Sequence, residues 1–373
     1  MQASKILVTG GAGFIGSHLV DALIQEGHQV RVLDLLVSQV HESSEPKYLN
    51  KEAEFIRGNV ADAALLEQAF DGIEVVYHEA AEVGVGQSMY EIHRYVHGNT
   101  LATSVLLESV MKRRAQIRKL VVASSMSIYG EGAYQDSAGT TFFPQLRPTS
   151  QLLERRWEVE SPMTGEPLQP VGTNEDKPLF PTSVYAITKQ DQEQLCLVVG
   201  RAYGVPTVAL RYFNVYGARQ ALSNPYTGVC AIFSSRLLND HAPAIFEDGK
   251  QTRDFIHVSD IVQANLLALE TDKADYQAIN IGTGRATSVK RIAELLAEGL
   301  GKNLEPEIVG KYREGDIRHC VSDISRARQL LGYEPKVSLE EGMPALLDWV
   351  RQQHAEDKVA TATAEMQTHN LVK

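Results

Sequence analysis

Near its N-terminus the chain reads Lys5-Ile6-Leu7-Val8-Thr9-Gly10-Gly11-Ala12-Gly13-Phe14-Ile15-Gly16-Ser17-His18-Leu19-Val20. Residues 6–8 form a short apolar run, which is typical of a strand buried on both faces. From Phe14 to Leu23 apolar residues recur with helical spacing. Glycines at positions 10, 13 and 16 lie between the two patterns. A strand, a glycine turn and a helix in this order predict a dinucleotide-binding site.

Each of the three glycines has its own task in such a turn. Gly10 permits the tight turn, Gly13 lets the backbone approach a pyrophosphate, and Gly16 lets the helix pack close to the strand. The free N–H groups and the positive dipole end of the helix then hold the phosphates. The next strand pattern ends at Asp34, where an acid can bind the ribose diol and would repel a 2′-phosphate. The sequence therefore favours NAD over NADP.

Composition limits the other classes of function. The chain has 373 residues, of which 43% are hydrophobic, and a formal net charge of −11. This charge disfavours nucleic acid as a partner. No apolar run reaches membrane-spanning length and no signal-peptide pattern precedes the first strand, so we expect a cytoplasmic protein without a membrane partner. Three scattered cysteines, without a C-x-x-C pair, indicate neither a disulfide framework nor a metal site.

Strand and helix patterns alternate through the first half of the chain. This alternation implies right-handed crossovers and a doubly wound parallel sheet of the Rossmann type. Small residues follow the fourth strand at Ala80 and Ala81, where a cofactor can pass closely, and Asn99 lies in a long helix that could bring it to the cofactor. The predicted elements are a strand at 53–60, a helix capped by Asp62 and running through Phe70, a strand at 75–78, a helix at 90–114 and a strand at 120–125.

Three further segments complete the predicted organisation. We expect an NAD-binding domain at residues 1–205, with an insertion at about 131–182, and a smaller C-terminal α/β substrate domain at 206–354 that is interleaved with the first. The insertion carries seven of the fourteen prolines and predicts one short helix at 152–160. It is either a lid near the substrate or a surface loop. Residues 355–373 lack sustained periodicity and are expected to fray.

A tyrosine and a lysine share one face of a predicted helix that runs from Val184 to Tyr203. Tyr185 and Lys189 are four residues apart, which places them on the same side of that helix. Such a pair is unremarkable alone. It gains meaning here because it follows a nucleotide-binding half whose fifth strand ends in Ser124 and Ser125.

These motifs together resemble the extended short-chain dehydrogenase/reductase family, and within it the nucleotide-sugar epimerases and dehydratases, most of all the UDP-glucose 4-epimerase type. The resemblance covers residues 5 to about 340 in the order of the family. It is carried by Thr9 to Gly16, His78 to Ala81, Ser124 to Gly130, Tyr185 to Lys189, Arg211 to Gly217, Arg253 to Asp260 and Arg313 to Asp316.

The resemblance implies roles for particular residues. Tyr185 would accept the proton of a sugar hydroxyl, Lys189 would favour its tyrosinate and hold the nicotinamide ribose, and Ser125 would orient the hydroxyl. A cation is needed beside the phenol because its ordinary pKa is near 10. The implied NAD-binding residues are Gly10, Gly13, Phe14, Ile15, Gly16, Asp34, Asn59, Val60, Ala80, Ala81, Asn99, Tyr185 and Lys189. The implied substrate-binding residues are Val83, Ser125, Tyr185, Asn214, Arg219, Arg253, Arg313 and Asp316.

Two positions bear on the type of reaction. The family's dehydratases carry Asp-Glu directly after the catalytic Ser or Thr, and its decarboxylases also carry a Glu there, whereas this chain has Met126 and Ser127. The resemblance therefore favours a 4-epimerase that works through a transient 4-keto sugar and recycles its bound NAD. A dehydratase, a decarboxylase or an epimerase at another carbon remains the alternative, and an NAD-sensing binding protein is a third reading. The nucleotide base and the sugar, including whether its C6 is a carboxylate, are left open.

The resemblance also implies an assembly and two departures from the family pattern. Relatives form homodimers through the helices that correspond to residues 90–114 and 184–203, where Leu106, Val110, Leu195 and Val199 could serve either the interface or the core. Asn59 stands where many relatives have an aspartate near the adenine. The long insertion has Ser161-Pro162-Met163-Thr164 where some relatives have a cysteine knuckle, so it cannot hold zinc there.

Overall fold

The computed structural model describes residues 3–41 and 45–373. Its strands are short apart from those of one central sheet. In chain order they are β1 (Lys5–Thr9), β2 (Gln29–Asp34), β3 (Glu54–Arg57), β4 (Val75–His78), β5 (Lys119–Ser125), β6 (Ala133–Gln135), β7 (Thr141–Phe142), β8 (Gln169–Thr173), β9 (Thr207–Tyr212), β10 (Asn214–Tyr216), β11 (Ala244–Ile245), β12 (Thr252–Arg253), β13 (Phe255–His257), β14 (Gln277–Ile281), β15 (Thr287–Ser288), β16 (Glu307–Ile308) and β17 (His319–Ser322).

Helices cover both faces of that sheet and build much of the second half. A π-helical segment, Val96–Leu101, joins two of them into one long helix, and a short 3₁₀ turn, Met126–Tyr129, follows β5. The α-helices are α1 (Phe14–Gln25), α2 (Ser38–His41), α3 (Ala63–Ala69), α4 (Val85–Ser88), α5 (Ile92–Tyr95), α6 (Ala102–Lys112), α7 (Thr149–Leu153), α8 (Val184–Tyr203), α9 (Val229–Leu238), α10 (Val258–Glu270), α11 (Val289–Leu300), α12 (Ser325–Leu331), α13 (Leu339–Arg351) and α14 (Val359–Thr368).

The central sheet has seven strands in the order β14-β9-β5-β4-β1-β2-β3. All six neighbouring pairs are parallel. This is the doubly wound arrangement, with the order reversing between β1 and β4 so that a crevice opens at their carboxyl ends. The predicted Rossmann fold is confirmed. Asp62 also caps α3 as expected, because its carboxylate accepts from the backbone N–H of Ala64 and Leu65.

A second sheet of six strands has the order β15-β12-β17-β8-β6-β7. Three of these strands, β6, β7 and β8, come from the predicted insertion. The single helix expected at 152–160 is wrong in position, because the helix of this segment is α7, Thr149–Leu153. The insertion is also more than a surface loop, since it contributes β6, β7 and β8 to the sheet, and its role as a lid stays a prediction. The insertion pairs with β17 through β8, and it is therefore a structural part of the second half.

Two apolar cores pack on the faces of the central sheet and a third fills the second half. Leu106 and Val110 are buried in the core between α6, α8 and the sheet, and Leu195 and Val199 pack against it. Leu106 and Val110 therefore serve the core of the chain, and a role of the partly buried Leu195 and Val199 in an interface stays a prediction. The apolar residues left exposed on α5, the π-helical segment and α8 are Ile92, Val96, Leu101, Ile187, Val198 and Tyr203.

The C-terminal residues are ordered, contrary to the expected fraying. Residues 359–368 form α14, whose Ala362 and Met366 are buried, and Val372 forms an antiparallel bridge with Arg313. Cys196, Cys230 and Cys320 are free and buried, and burial raises the pKa of each thiol to about 12. Within the described ranges, every helix is too short or too polar to cross a membrane.

Candidate active site

The glycine loop between β1 and α1 forms a cradle with room only for glycine. Gly10 has a positive φ of 69°, and a Cβ on it would lie 2.7 Å from the Cα of Ala80. A Cβ on Gly16 would lie 2.2 Å from the carbonyl oxygen of Gly10. The first N–H groups of α1, at Phe14 and Ile15, have no side-chain cap from Gly13. The open helix end and the close approach of Ala80 fit a dinucleotide pyrophosphate.

Asp34 ends β2 with its carboxylate directed at this loop. One oxygen accepts from the N–H of Ala12 at 3.0 Å and the other from the N–H of Leu36 at 2.8 Å. Each carboxylate oxygen retains a lone pair for a further donor, so the group is placed to bind a ribose diol. At the end of β3, Asn59 accepts from the N–H of Ala61 at 2.9 Å, and the adjacent Val60 is buried.

Asn99, predicted to bind NAD, lies fully buried in the π-helical segment. Its side-chain oxygen accepts from the N–H of Glu82 at 2.7 Å, and its amide donates to the carbonyl of Glu82 and to Thr188 Oγ1. Asn99 therefore holds the loop after β4, which contains Ala80 and Ala81, against α8. The sequence placed the residue in the correct helix, and its contact with NAD stays a prediction.

Ser125, Tyr185 and Lys189 meet where β5 ends against α8. The Tyr185 hydroxyl hydrogen-bonds with Ser125, whose Oγ accepts from the N–H of Ser127 at 3.2 Å and from Ser127 Oγ at 2.9 Å. Lys189 is buried, and its Nζ donates to the carbonyl of Ala123. The structure thus brings together the three residues to which the resemblance gave catalytic roles.

Burial sets the ionisation of this group. It raises the pKa of Tyr185, and the hydrogen bond to Ser125 opposes that rise. Burial lowers the pKa of Lys189 to about 8, while the neighbouring Glu79 opposes the change. The expected lowering of the Tyr185 pKa by Lys189 is not found in the chain alone, where burial and Ser125 are the two influences on the phenol. A further positive charge is needed for the tyrosinate to form near neutral pH.

A buried ion pair fixes α8 against the end of β5. Glu193 accepts from Ser124 Oγ at 2.7 Å, and it accepts from the Arg211 guanidinium at 2.9 and 2.6 Å. A bidentate pair of this kind has a single preferred geometry. The pair joins α8 to β9, and the hydrogen bond from Ser124 Oγ ties Glu193 to β5 as well. Glu193 therefore holds together the elements that carry Tyr185 and Ser125.

The sequence analysis missed Glu79, the residue after β4. Burial raises the pKa of its carboxyl to about 7, and Tyr212 donates a hydrogen bond to it at 2.8 Å. The signal in the sequence was an acidic residue between His78 and two alanines, at the end of a buried strand. Glu79 places a titratable group beside Lys189.

A cleft of about 610 Å³ opens beside the serine and tyrosine. Met126 and Ser127 line it next to Ser125, and Ser183 lines it two residues before Tyr185. This volume lies in the range of small-molecule sites. Four of the residues predicted to bind substrate also line it, namely Asn214, Arg253, Arg313 and Asp316.

The cleft offers two guanidinium groups to an anion and one amide oxygen to a hydrogen-bond donor. The side-chain oxygen of Asn214 is buried without a hydrogen-bond partner among the described residues. Arg253 donates to three backbone carbonyls, those of Thr252, Ile317 and Arg318, which leaves two of its five donors. Arg313 uses one donor on Asp316 at 2.7 Å. Two anchored guanidinium groups in one cleft suit a diphosphate.

Two predicted substrate residues lie elsewhere. Arg219 has a positive φ of 70°, and the turn directs it to an ion pair with Asp21 at 2.8 Å and over the ring of Tyr48. Val83 is 49% exposed, and the described lining of the cleft includes neither residue. Arg219 therefore braces α1, and its prediction as a substrate ligand is not supported by its position.

Acidic residues of the insertion do not reach the cleft. Glu154 and Glu160 pair with Arg156. Glu158 accepts from Arg318 and His319, which lowers its pKa to about 2. These three carboxyls are therefore not placed to act as acid–base groups in the cleft.

Comparison with known proteins agrees with this geometry. The model of the NAD dependent epimerase/dehydratase family matches residues 6–151 and 161–282. The chain belongs to this family. Its membership confirms the predicted NAD dependence and the prediction of an enzyme of the nucleotide-sugar epimerase type.

Individual relatives match nearly the whole chain. A dTDP-L-rhamnose 4-epimerase of Burkholderia thailandensis is 35% identical over 95% of this chain and 96% of its own. A UDP-glucose 4-epimerase of Thermotoga maritima, solved with UDP-glucose, has a TM-score of 0.75 at 35% identity, with 93% and 99% of the two chains covered. A UDP-glucuronic acid 4-epimerase of Bacillus cereus, solved with UDP-glucuronic acid and NAD, has a TM-score of 0.75 at 31% identity, with 94% and 100% covered.

Proposed function

We propose that the chain is a nucleotide-sugar 4-epimerase that oxidises its substrate to a 4-keto sugar, re-reduces the ketone on either face and keeps its NAD bound. The observation that carries this proposal is the wall of the cleft beside Ser125. It consists of Met126 and Ser127, neither of which can act as a carboxyl acid or base, and the Ser125–Tyr185 pair next to it is complete. A 4-keto sugar formed there meets no carboxyl at positions 126 and 127, where the family's dehydratases carry the acids that promote loss of water and its decarboxylases also carry a Glu.

The proton is handled by the residues at the end of β5 and on α8. Ser125 hydrogen-bonds the reacting hydroxyl and orients it towards Tyr185, which takes its proton. NAD, when bound, supplies the hydride acceptor and the positive nicotinamide charge that the buried phenol needs. Lys189 is anchored on the carbonyl of Ala123 and adds its own charge to the site. General-base catalysis of this kind contributes on the order of 10²–10⁴-fold in rate.

The reverse step requires the sugar to present its other face. Arg253 and Arg313 are fixed by protein acceptors, so they can hold the diphosphate while the ketone ring turns. Tyr185 then returns the proton to the C4 oxygen. The chain takes a nucleotide-diphosphate sugar as substrate in this proposal, as do its relatives, the 4-epimerases of dTDP-L-rhamnose, UDP-glucose and UDP-glucuronic acid.

The test is a screen of UDP-, dTDP-, GDP- and CDP-sugars, with the products followed by NMR and mass spectrometry. We expect two 4-epimers of identical mass, without loss of water or carbon dioxide and without net consumption of NAD. The reaction is also run in deuterated water. The hydrogen at C4 should be retained, because it travels as hydride and does not meet the solvent.

Other results would contradict the proposal. Deuterium at C5 would require a base beside the ketone and would indicate a dehydratase or an epimerase at another carbon. Net reduction of added NAD would indicate a dehydrogenase. Binding of NAD and a nucleotide sugar without any turnover would indicate a sensor.

A further inference from the structure

The C-terminal residues 359–373 form one wall of the cleft. Met366 and Val372 are only 7% and 9% exposed. The residues of this segment that line the cleft are Val359, Ala362, Thr363, Met366, Leu371 and Val372.

Helix α14 is fixed at the mouth of the cleft by contacts with both halves of the chain. The Glu365 carboxylate accepts from the hydroxyls of Tyr90 and Tyr226, and the ring of His369 stacks on Tyr90 at 4.5 Å. The sulfur of Met366 lies 2.9 Å from the position that a Cβ on Gly86 would take. Tyr90 and Gly86 belong to the NAD-binding half, and Tyr226 belongs to the second half. The helix therefore crosses the opening between the halves.

The last three residues pair with the loop that carries Arg313. Tyr312 and Lys373 exchange two backbone hydrogen bonds of 3.0 Å, and the N–H of Glu314 donates to the carbonyl of Leu371 at 2.9 Å. Arg313 lies between these bonds, with its guanidinium over the ring of Phe246 at 4.8 Å. The backbone on both sides of this arginine is thus held by the end of the chain.

We infer that the residues of 359–373 that line the cleft, or that bond to Tyr90, Tyr226 and the loop of Arg313, are a part of the nucleotide-sugar site. They fix Arg313 for the substrate diphosphate and cover the cleft, so a bound nucleotide leaves only after α14 has moved away from Tyr90 and Gly86. The inference rests on the proposed function for the chemistry of the ligand. It adds that the segment controls both the affinity for that ligand and its rate of release.

The test measures binding of free nucleoside diphosphates and does not depend on turnover. UDP, dTDP, GDP and CDP are titrated calorimetrically into the NAD-loaded full chain and into a chain truncated after Lys358. For the diphosphate that binds best, the truncation should weaken binding by at least about tenfold, since a guanidinium–phosphate contact is loosened. The dissociation rate of that diphosphate should be higher for the truncated chain than for the full chain. The NAD content of the two chains should be equal.

Point variants keep the test decisive if the truncated chain does not fold. Met366→Ala removes the contact with Gly86, and Glu365→Gln weakens the hydrogen bonds to the two tyrosines. Each variant should weaken diphosphate binding by about threefold, which is roughly half of the tenfold effect when both are expressed as free energies. Gln367→Ala is the matched control, because Gln367 lies on the same helix and is exposed. It should bind as the unaltered chain does.

Two results would overturn the inference in distinguishable ways. Equal dissociation constants for Met366→Ala, Glu365→Gln and Gln367→Ala would show that the segment takes no part in binding, with the proposed function intact. Failure of all four diphosphates to bind the full chain would remove the nucleotide-sugar function itself, and the inference with it.

Discussion

The two main sheets of this molecule are built by different means. The seven-stranded sheet is entirely parallel and packs apolar cores on both faces. The six-stranded sheet mixes parallel and antiparallel pairs from segments as distant as β6 and β17. Its interior contains charges, because Arg318 is fully buried and pairs with Glu158, Glu247 and Asp248. Arg147 of the insertion pairs with the same Glu247.

This contrast separates the chemistry of the chain from its substrate recognition. The first sheet ends in the glycine cradle and in Ser125, next to Tyr185 on α8. The second sheet carries Arg253 on β12 and leads into the loop of Arg313 and Asp316. Arg147 donates to the carbonyl of Asp316 at 3.2 Å, so the buried charges hold that loop directly. Substitutions in the first region should alter turnover, and substitutions in the second should alter stability and ligand binding.

The largest expected effect tests the chemical side of this division. Tyr185→Phe removes the proton acceptor and should lower kcat by about 10²-fold or more, while the melting temperature and the bound NAD stay unchanged. Tyr203→Phe on the same helix is the control, because Tyr203 is exposed. Both are measured by steady-state kinetics on the substrate found in the screen. A Tyr185→Phe enzyme that turns over normally would exclude the assigned role.

A second prediction concerns the charged interior of the six-stranded sheet. Arg318→Leu leaves Glu158 and Asp248 without their buried partner, so we expect a loss of about 3–5 kcal/mol in the free energy of unfolding. Arg328→Leu breaks the exposed pair with Glu334 and should lower the free energy of unfolding far less, because solvent screens that pair. Urea denaturation measures both. Similar losses in the free energy of unfolding for the two variants would show that the buried ion pairs of Arg318 stabilise the fold no more than the exposed pair of Arg328.

The third prediction uses the pH dependence of Glu79. Its pKa is raised by burial to about 7, so the protonated carboxyl is the form that the fold favours. The stability that this group contributes is full below its unfolded pKa and is lost as pH rises through 7. Relative to Glu79→Gln, the unaltered chain should therefore lose on the order of 2 kcal/mol between pH 5 and pH 8.

Urea denaturation at both pH values checks this expectation, with Glu52→Gln as an exposed control. A stability difference between the unaltered chain and Glu79→Gln that does not change with pH would contradict the raised pKa. The same result would show that a carboxyl buried at the end of a strand of the first sheet titrates as an exposed carboxyl does.

The smallest expected effect concerns assembly. We propose a homodimer through α8 and the helix that contains α5 and α6, where Ile187 is 48% and Leu101 is 44% exposed. Ile187→Glu should shift the chain to monomers in sedimentation at micromolar concentration, with folding unchanged, because a buried charge would be left unpaired. Met163→Glu, at a residue of the insertion that is 81% exposed, should have no effect. If the unaltered chain sediments as a monomer, the proposed dimer is contradicted.

The first sheet could be predicted because its signals are local. Five strands and three helices of the first half were placed within a few residues, since each has an apolar run, a cap or a turn residue of its own. The cap at Asp62 and the face shared by Tyr185 and Lys189 are examples. The cradle of Gly10 and Gly16 followed from spacing alone.

The second sheet could not be predicted because its strands lack periodicity. β12 and β15 have two residues each, and β12 exists only through its pairing with β15 and β17, which lie far away in the chain. Helix α14 buries only Ala362 and Met366, too few positions to form a pattern. Arg219 was misplaced for a related reason: it follows a family motif, but its positive φ directs it to Asp21.

The burial of Cys196, Cys230 and Cys320 has a practical consequence for measuring the motion of α14. Thiol reagents such as maleimides attack the thiolate, and at neutral pH these three thiols are both protonated and shielded. A single cysteine introduced at the exposed Gln367 would then be the one site that takes a fluorescent label. The opening and closing of the cleft could be recorded in real time without removing any native cysteine.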